Sequence, residues 1–230
     1  MKKINITHQA ETHWASATDL MSGLMLVFMF IAIVYMLNTS SERDRMRKVA
    51  EEWAKTKLDI YKALNKEFKT DLRKWHAEIE KDTLLIRFKE PTVLFDSGSY
   101  QLSERFEIIL SDFFPRYLNV LKPFETSVAE IRIEGHTSSE WNSLVSPSQA
   151  YFENMKLSQD RTREVMKFCL NNTPHVENKA WAKKSLIAAG MSSSRLIFKE
   201  EKEDKDSSRR VEFRVRTKAD EKLSLILEQN

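Results

Sequence analysis

The most prominent feature of the hydrophobic pattern is an apolar run at residues 20–37, LMSGLMLVFMFIAIVYML, with no charge and no proline over 18 positions. A helix on the surface of a soluble domain keeps a polar face, and this run has none. Extended back to Ala15, it makes a helix of about 35 Å at ~1.5 Å per residue, enough to cross a hydrocarbon core of roughly 30 Å. It exceeds the ~7–15 apolar residues of a cleaved signal peptide and opens on an acid. Residues 15–38 therefore read as a retained transmembrane helix behind a short tail, residues 1–14.

Residues 39–81 are highly charged, with apolar positions at Val49, Trp53, Leu58, Tyr61, Leu64, Phe68, Leu72, Trp75 and Ile79. From Leu58 the gaps are 3, 3, 4, 4, 3 and 4, the spacing of one helical stripe. A long solvated helix with a narrow stripe needs a partner, so this segment reads as a stalk paired in a dimer or a plug-like helix. The alternative is a linker helix folded back on its own domain.

The pattern then changes to alternation. Residues 83–88, 93–95, 128–133 and 210–217 read as strands and residues 195–198 as weakly extended. Residues 101–121, 146–170 and 181–189 read as helices. Interleaved helices and strands predict an α/β sandwich over residues 82–217, with helices against one sheet and a tail at 218–230.

Composition narrows the function. The chain has 230 residues, room for one compact domain plus extras. It is 31% charged yet only +3 net, with both signs mixed, which gives no footprint for direct nucleic-acid binding. Gly and Pro are scarce, against a disordered chain. The single Cys169 sits on the apolar face of a predicted helix and reads as packed core. The sequence shows no phosphate loop, nucleophile motif or metal-ligand spacing, so no enzyme, cofactor or metal is expected, and His136 reads as structural.

Asp19 is the exception inside the apolar segment. A carboxylate at membrane depth costs roughly 3 kcal/mol on insertion scales. Helical spacing surrounds it with Ala15, Ser16, Ser22 and Gly23, all small, so another helix can approach closely there. Desolvation favours the neutral form, and a group poised between two protonation states can carry protons. The alternative is an interfacial acid at the helix N-terminus.

The stretch Trp14-Ala15-Ser16-Ala17-Thr18-Asp19-Leu20-Met21-Ser22-Gly23-Leu24-Met25 resembles the start of stator B-subunits of the MotB type. Within that superfamily it most resembles the MotB-like subunits of Zorya anti-phage defence systems. The resemblance implies that Asp19 is a proton relay. It also implies a homodimer held inside a ring of multi-pass, MotA-like (ZorA-like) A-subunits, with a role in anti-phage defence. Flagellar-type B-subunits usually carry a more basic tail and a proline soon after the membrane helix, and this chain has neither. A flagellar-type or other stator subunit, or a static anchor without ion flow, remains the alternative.

Residues 82–217 resemble the OmpA-like peptidoglycan-binding domain. The likeness rests on Leu94-Phe95-Asp96-Ser97-Gly98, Ile131-Arg132-Ile133-Glu134-Gly135-His136-Thr137, Asn154-Met155-Lys156-Leu157-Ser158-Gln159-Asp160-Arg161, Gly190-Met191-Ser192-Ser193-Ser194-Arg195-Leu196 and Arg209-Arg210-Val211-Glu212-Phe213, in that order. It implies that Arg161 binds the diaminopimelate carboxylate of peptidoglycan, chemistry that suits a planar guanidinium fork. Asn154 and Leu157 would shape the pocket, with Thr137 and Ser138 beside them. The family usually has Asp where this chain has Ser138, meeting the ligand's ammonium. Weaker affinity, substitution by Glu140 or a different ligand would follow. Residues 199–208 read as a short solvated turn.

The expected whole is a single-pass membrane helix plus helical stalk plus α/β OmpA-like periplasmic domain, in the bacterial inner membrane. Lys2 and Lys3 precede the apolar run, and Arg43, Arg45, Arg47 and Lys48 follow it. That count alone favours the reverse orientation. The nature of the following domain decides for a cytoplasmic N-terminus.

Overall fold

The computed structural model describes residues 7–89, 94–96, 98–142 and 144–218, with side chains from residue 18 onward. Expectations for residues 1–6, Val93, Ser97 and the tail beyond Lys218 lie outside the described residues. The chain divides into two compact units, Met1–Glu51 and Glu52–Asn230. Helix α1, Thr7–Phe68, contributes to both.

In the first unit, α1 carries an 18-residue window of mean hydropathy 2.5, none of it buried by the rest of the chain. Phe30, for example, is 67% exposed. Apolar area on this scale is costly in water, and the helix is long and apolar enough to cross a membrane.

Among its described residues the second unit has seven strands: β1 (Ala77–Glu80), β2 (Leu85–Phe88), β3 (Val128–His136), β4 (Leu186–Gly190), β5 (Phe198–Lys199), β6 (Lys202–Glu203) and β7 (Arg210–Thr217). Five make one sheet in the order β1-β2-β7-β3-β4, with β3–β4 parallel and the other pairs antiparallel. Helices α2 (Glu104–Leu121), α3 (Pro147–Asn171) and α4 (Val176–Ser185) cover one face, and a short helix α5 (Lys205–Ser208) precedes β7.

The alternation in β7 explains the layering. Val211, Phe213 and Val215 enter the core, while Arg210, Glu212, Arg214 and Arg216 take the opposite face. Helix α2 meets the core face with Phe106, Ile109, Leu110, Phe113, Tyr117 and Leu118. The Phe113 ring lies 5.2 Å from Phe68, 5.1 Å from Phe88 and 5.1 Å from Phe213, at the tilted or edge-on angles that aromatic pairs prefer. Ser103 caps α2 by accepting from the Phe106 N–H at 3.1 Å. Ser146 and Gln149 form a reciprocal capping box on α3, with Pro147 at its first position.

Three expectations are corrected. The stripe from Leu58 to Ile79 is not one helix: α1 stops at Phe68, the chain turns, and β1 begins at Ala77. Ile60, Leu64, Phe68 and Trp75 are buried in the domain core, so from residue 60 onward pairing with a partner gives way to packing on the chain's own domain. Arg116 fastens this end, reaching Glu67 at 2.7 Å, Asp71 at 2.9 Å and Asp112 at 2.9 Å.

The second correction is at residues 181–189. The helix ends at Ser185, and Leu186–Gly190 is strand β4, paired in parallel with Ile131 to Gly135. A short apolar run fits either period, and the open edge of β3 decides. Third, residues 199–208 form the β5–β6 hairpin and α5, the latter capped by Asp204 accepting from the Ser207 N–H.

Candidate functional site

Thr137, Ser138, Asn154, Leu157 and Arg161 come together around one cleft of about 430 Å³. Thr137 and Ser138 follow directly on β3. Asn154, Leu157 and Arg161 stand at i, i+3 and i+7 on α3, which puts them on one helix face.

The seating of α3 depends on two glycines. A Cβ at Gly135 would lie 2.7 Å from Thr162 Cγ2 and 2.9 Å from the Ser158 carbonyl oxygen. A Cβ at Gly190 would lie 2.4 Å from the Gln159 nitrogen. No side chain fits at either place, so the helix rests directly on the ends of β3 and β4. Ser158 fixes the contact: its hydroxyl accepts from the Ser192 N–H at 3.0 Å. The Ser192 hydroxyl donates to the Tyr151 carbonyl at 2.7 Å, and its own carbonyl accepts from the Thr137 N–H at 3.0 Å. The serine of the N-x-x-L-S-x-x-R motif thus ties the helix to the loop that carries Thr137 and Ser138.

Arg161 is 7% exposed. Its Nε donates to the Ser99 carbonyl at 2.9 Å, and its guanidinium carbon lies 4.6 Å from the Phe95 ring centroid. Gly98, at φ 68°, makes the turn that precedes Ser99. Among the described residues no carboxylate is within ion-pair distance of Arg161. Burial, together with the charge of nearby Arg209, pulls its pKa down to about 10. The side chain is still a cation at neutral pH, and a buried cation without a counter-charge is costly. A carboxylate arriving from outside would complete it with charge-assisted hydrogen bonds.

Elsewhere around the cleft the acids are engaged. Asn154 Nδ2 donates to the Glu140 backbone carbonyl at 3.2 Å, while the Glu140 side chain pairs with Lys205 at 3.1 Å. Glu203 accepts from the Ser139 N–H at 2.9 Å and from its hydroxyl. The segment expected to be a solvated turn therefore docks on the loop after β3. Ser138 is buried where the family's pattern has an acid. The Thr137 hydroxyl is buried with no hydrogen-bond partner.

A second polar assembly lies on the opposite face of the sheet. Glu134, His136 and Glu212 bring potential ligand atoms within 4.8 Å of one another. The sequence did not reveal this group, because it is made by two strands distant in the chain. Its charge is balanced internally. Glu212 accepts from Arg210 Nε at 2.6 Å and Arg87 Nε at 2.8 Å, and Arg214 Nε lies 3.3 Å from Glu134. Burial opposes ionisation of Glu212, yet His136 and Arg210 hold its carboxyl far below the usual range. Three arginines already supply positive charge of the kind a metal would bring, and both ring nitrogens of the buried His136 lack a hydrogen-bond partner among the described residues.

Asp19 belongs to the first unit and is exposed on α1. The Ser22 hydroxyl turns back to the Thr18 carbonyl at 2.8 Å, and the space beside Gly23 is open. This side of the helix is narrow and makes few demands on a neighbour.

A model of the OmpA family matches residues 94–210. The chain is 44% identical over 229 residues to Zorya protein ZorB of Escherichia coli (strain Crooks), covering 99% of this chain and 97% of that protein. It is 27% identical over 239 residues to Zorya protein ZorB of Escherichia coli O139:H28, covering 96% and 90%. Among solved structures, a MotB-like protein from Desulfovibrio vulgaris superposes with a TM-score of 0.51 at 18% identity, covering 72% of this chain and 93% of that one.

Proposed function

The chain belongs to the ZorB family and carries an OmpA-family domain, and from that premise we propose that it is the peptidoglycan-anchored B-subunit of a proton-driven inner-membrane motor acting in anti-phage defence. Residues 1–14 are then a cytoplasmic tail, residues 15–38 the transmembrane helix, and the second unit a periplasmic anchor. Two copies pair inside a ring of ZorA-like A-subunits.

The observation that carries the anchoring role is Arg161, a buried guanidinium with no carboxylate at ion-pair distance among the described residues, facing a cleft with Thr137, Ser138, Asn154 and Leu157. Peptidoglycan stems offer carboxylates in the periplasm. Asp19 supports the relay role. It is an acid at the start of the apolar stretch of α1, beside Ser22 and Gly23, which let a second helix approach. A static anchor has no use for a charge there.

The test is phage plating on cells carrying the gene with its native neighbours, at matched membrane levels. Asp19→Asn should abolish protection while assembly persists; undiminished protection would sink the relay. In parallel, Arg161→Ala should stop the full-length protein from co-sedimenting with purified sacculi. Wild type that confers no protection would sink the defence role and leave the stator to a swimming or ion-leak assay.

A further inference from the structure

Arg161 is not the only guanidinium at the cleft. Arg209, the residue before β7, also lines it. One of its terminal nitrogens pairs with Asp206, which is 79% exposed, but its Nε is buried with no hydrogen-bond partner. An ion pair to so exposed a carboxylate is worth little and leaves most of the guanidinium's donors uncommitted. The charge of Arg209, whose side chain is 37% exposed, acts on the buried Arg161, so the two cations repel each other across the cleft wall.

The cleft carries little negative charge of its own. Glu140 is held by Lys205, Glu203 by Ser139, and position 138 carries a hydroxyl. The cleft thus presents two guanidiniums with unfilled donors, and the acid among its described lining residues, Glu140, is half-exposed and turned to Lys205.

We propose that the cleft is a two-guanidinium clamp, in which Arg161 and Arg209 together hold a ligand end bearing two carboxylates, and in which a free amine on that ligand contributes nothing to binding. The proposal rests on the peptidoglycan reading and sharpens it. The diamino diacid of a stem peptide carries a side-chain carboxylate, and a second one when it ends the peptide. Its distal amine is free in an uncross-linked stem and acylated in a cross-linked one. A clamp that reads only the carboxylates accepts both. Two anions between two cations relieve the repulsion that the empty cleft carries, and each guanidinium can bind its carboxylate in bidentate fashion.

Calorimetry on the full-length protein in detergent micelles tests this with three synthetic probes. They are the tripeptide L-alanyl-γ-D-glutamyl-meso-diaminopimelate, its N-acetylated form on the distal amine, and its mono-amide at the C-terminal carboxylate. The acetylated probe should bind within about threefold of the parent. Losing one charge-assisted pair should weaken the mono-amide by about tenfold or more. Arg209→Ala, with an unchanged thermal midpoint, should weaken the parent similarly and erase its advantage over the mono-amide. Arg209→Lys should restore part of it. A tenfold loss on acetylation, or a parent-over-amide preference that survives Arg209→Ala, would overturn the clamp while leaving the anchor intact. Wild type that binds no probe, and an Arg161→Ala protein that still co-sediments with sacculi, would overturn the peptidoglycan reading and the clamp with it.

Discussion

Arg210 and Arg161 are buried to nearly the same degree, 5% and 7% exposed, and they stand on opposite faces of one sheet. Arg210 has Glu212 at 2.6 Å and the backbone carbonyls of Arg195 and Ser208, both at 3.1 Å. Arg161 has one carbonyl and the face of Phe95. The same side chain at the same depth therefore has two meanings. On the outer face its counter-charge comes from inside the fold, and it serves the fold. In the cleft no counter-charge stands beside it among the described residues, which is what the proposed anchoring role needs. Burial alone does not identify a functional arginine; the presence or absence of its carboxylate does.

The largest way to break this contrast is Glu212→Gln, which leaves Arg87 and Arg210 without their shared anion. Breaking a buried pair from one side costs about 3–5 kcal/mol, which urea unfolding would show as a large fall in midpoint. Arg161→Met should do the opposite. It removes an unpaired buried charge, so stability should stay within about 1 kcal/mol of wild type or rise, while binding to sacculi disappears. A collapse in stability would mean that Arg161 is as structural as Arg210.

pH separates the two faces next. The carboxyls of Glu212 and Glu134 are both held below their ordinary value of 4.5. Burial opposes this, and His136 with the arginines outweighs it. A carboxyl depressed in the folded state gives stability that is full above the unfolded value and is lost as pH falls through the folded one. Unfolding free energy should therefore decline below about pH 4.5 as the outer face is titrated, and Glu212→Gln should flatten that decline. Ligand binding should respond at the other end. It needs the charged guanidinium, so affinity should fall as pH rises through about 10, the depressed pKa of Arg161.

The smallest effect is expected at Arg116, whose three carboxylate partners are half-exposed in part. Solvent screening limits Arg116→Ala to a loss of about 1 kcal/mol, readable by the same urea titration. A much larger loss would move this cluster into the class of the outer face.

Much of this was legible in the chain. The alternation of residues 210–217 gave strand β7 and its two faces, because one-sided burial imposes period two. The family resemblance pointed to Asn154, Leu157 and Arg161, which the fold does bring to one face of α3, and the apolar run marked the long exposed apolar stretch of α1. What escaped depended on tertiary partners. Leu186 to Gly190 became a strand because β3 offered an unpaired edge. Ile60, absent from the stripe as read, is fully buried because the face of α1 that meets the core is Ile60, Leu64 and Phe68. Arg209 and Arg210 are adjacent and identical in type, yet strand geometry sends Arg210 to the ionic face while Arg209 reaches the cleft. No pattern of residue types separates them. Glu134, His136 and Glu212 meet only because β3 and β7 pair in one register.

The seating of Ile60, Leu64, Phe68 and Trp75 in the core has a mechanical side. A tether that joined its domain through a loop would slacken under small loads and then peel away from one end. Here tension arriving at Glu52 meets side chains interlocked with α2 and with the Phe88 and Phe213 strands, and behind them the Arg116 clasp. Load arriving along α1 therefore falls on side chains buried in the core rather than on a flexible loop. For the anchor proposed above, the root of the tether and the strength of the domain are the same set of residues.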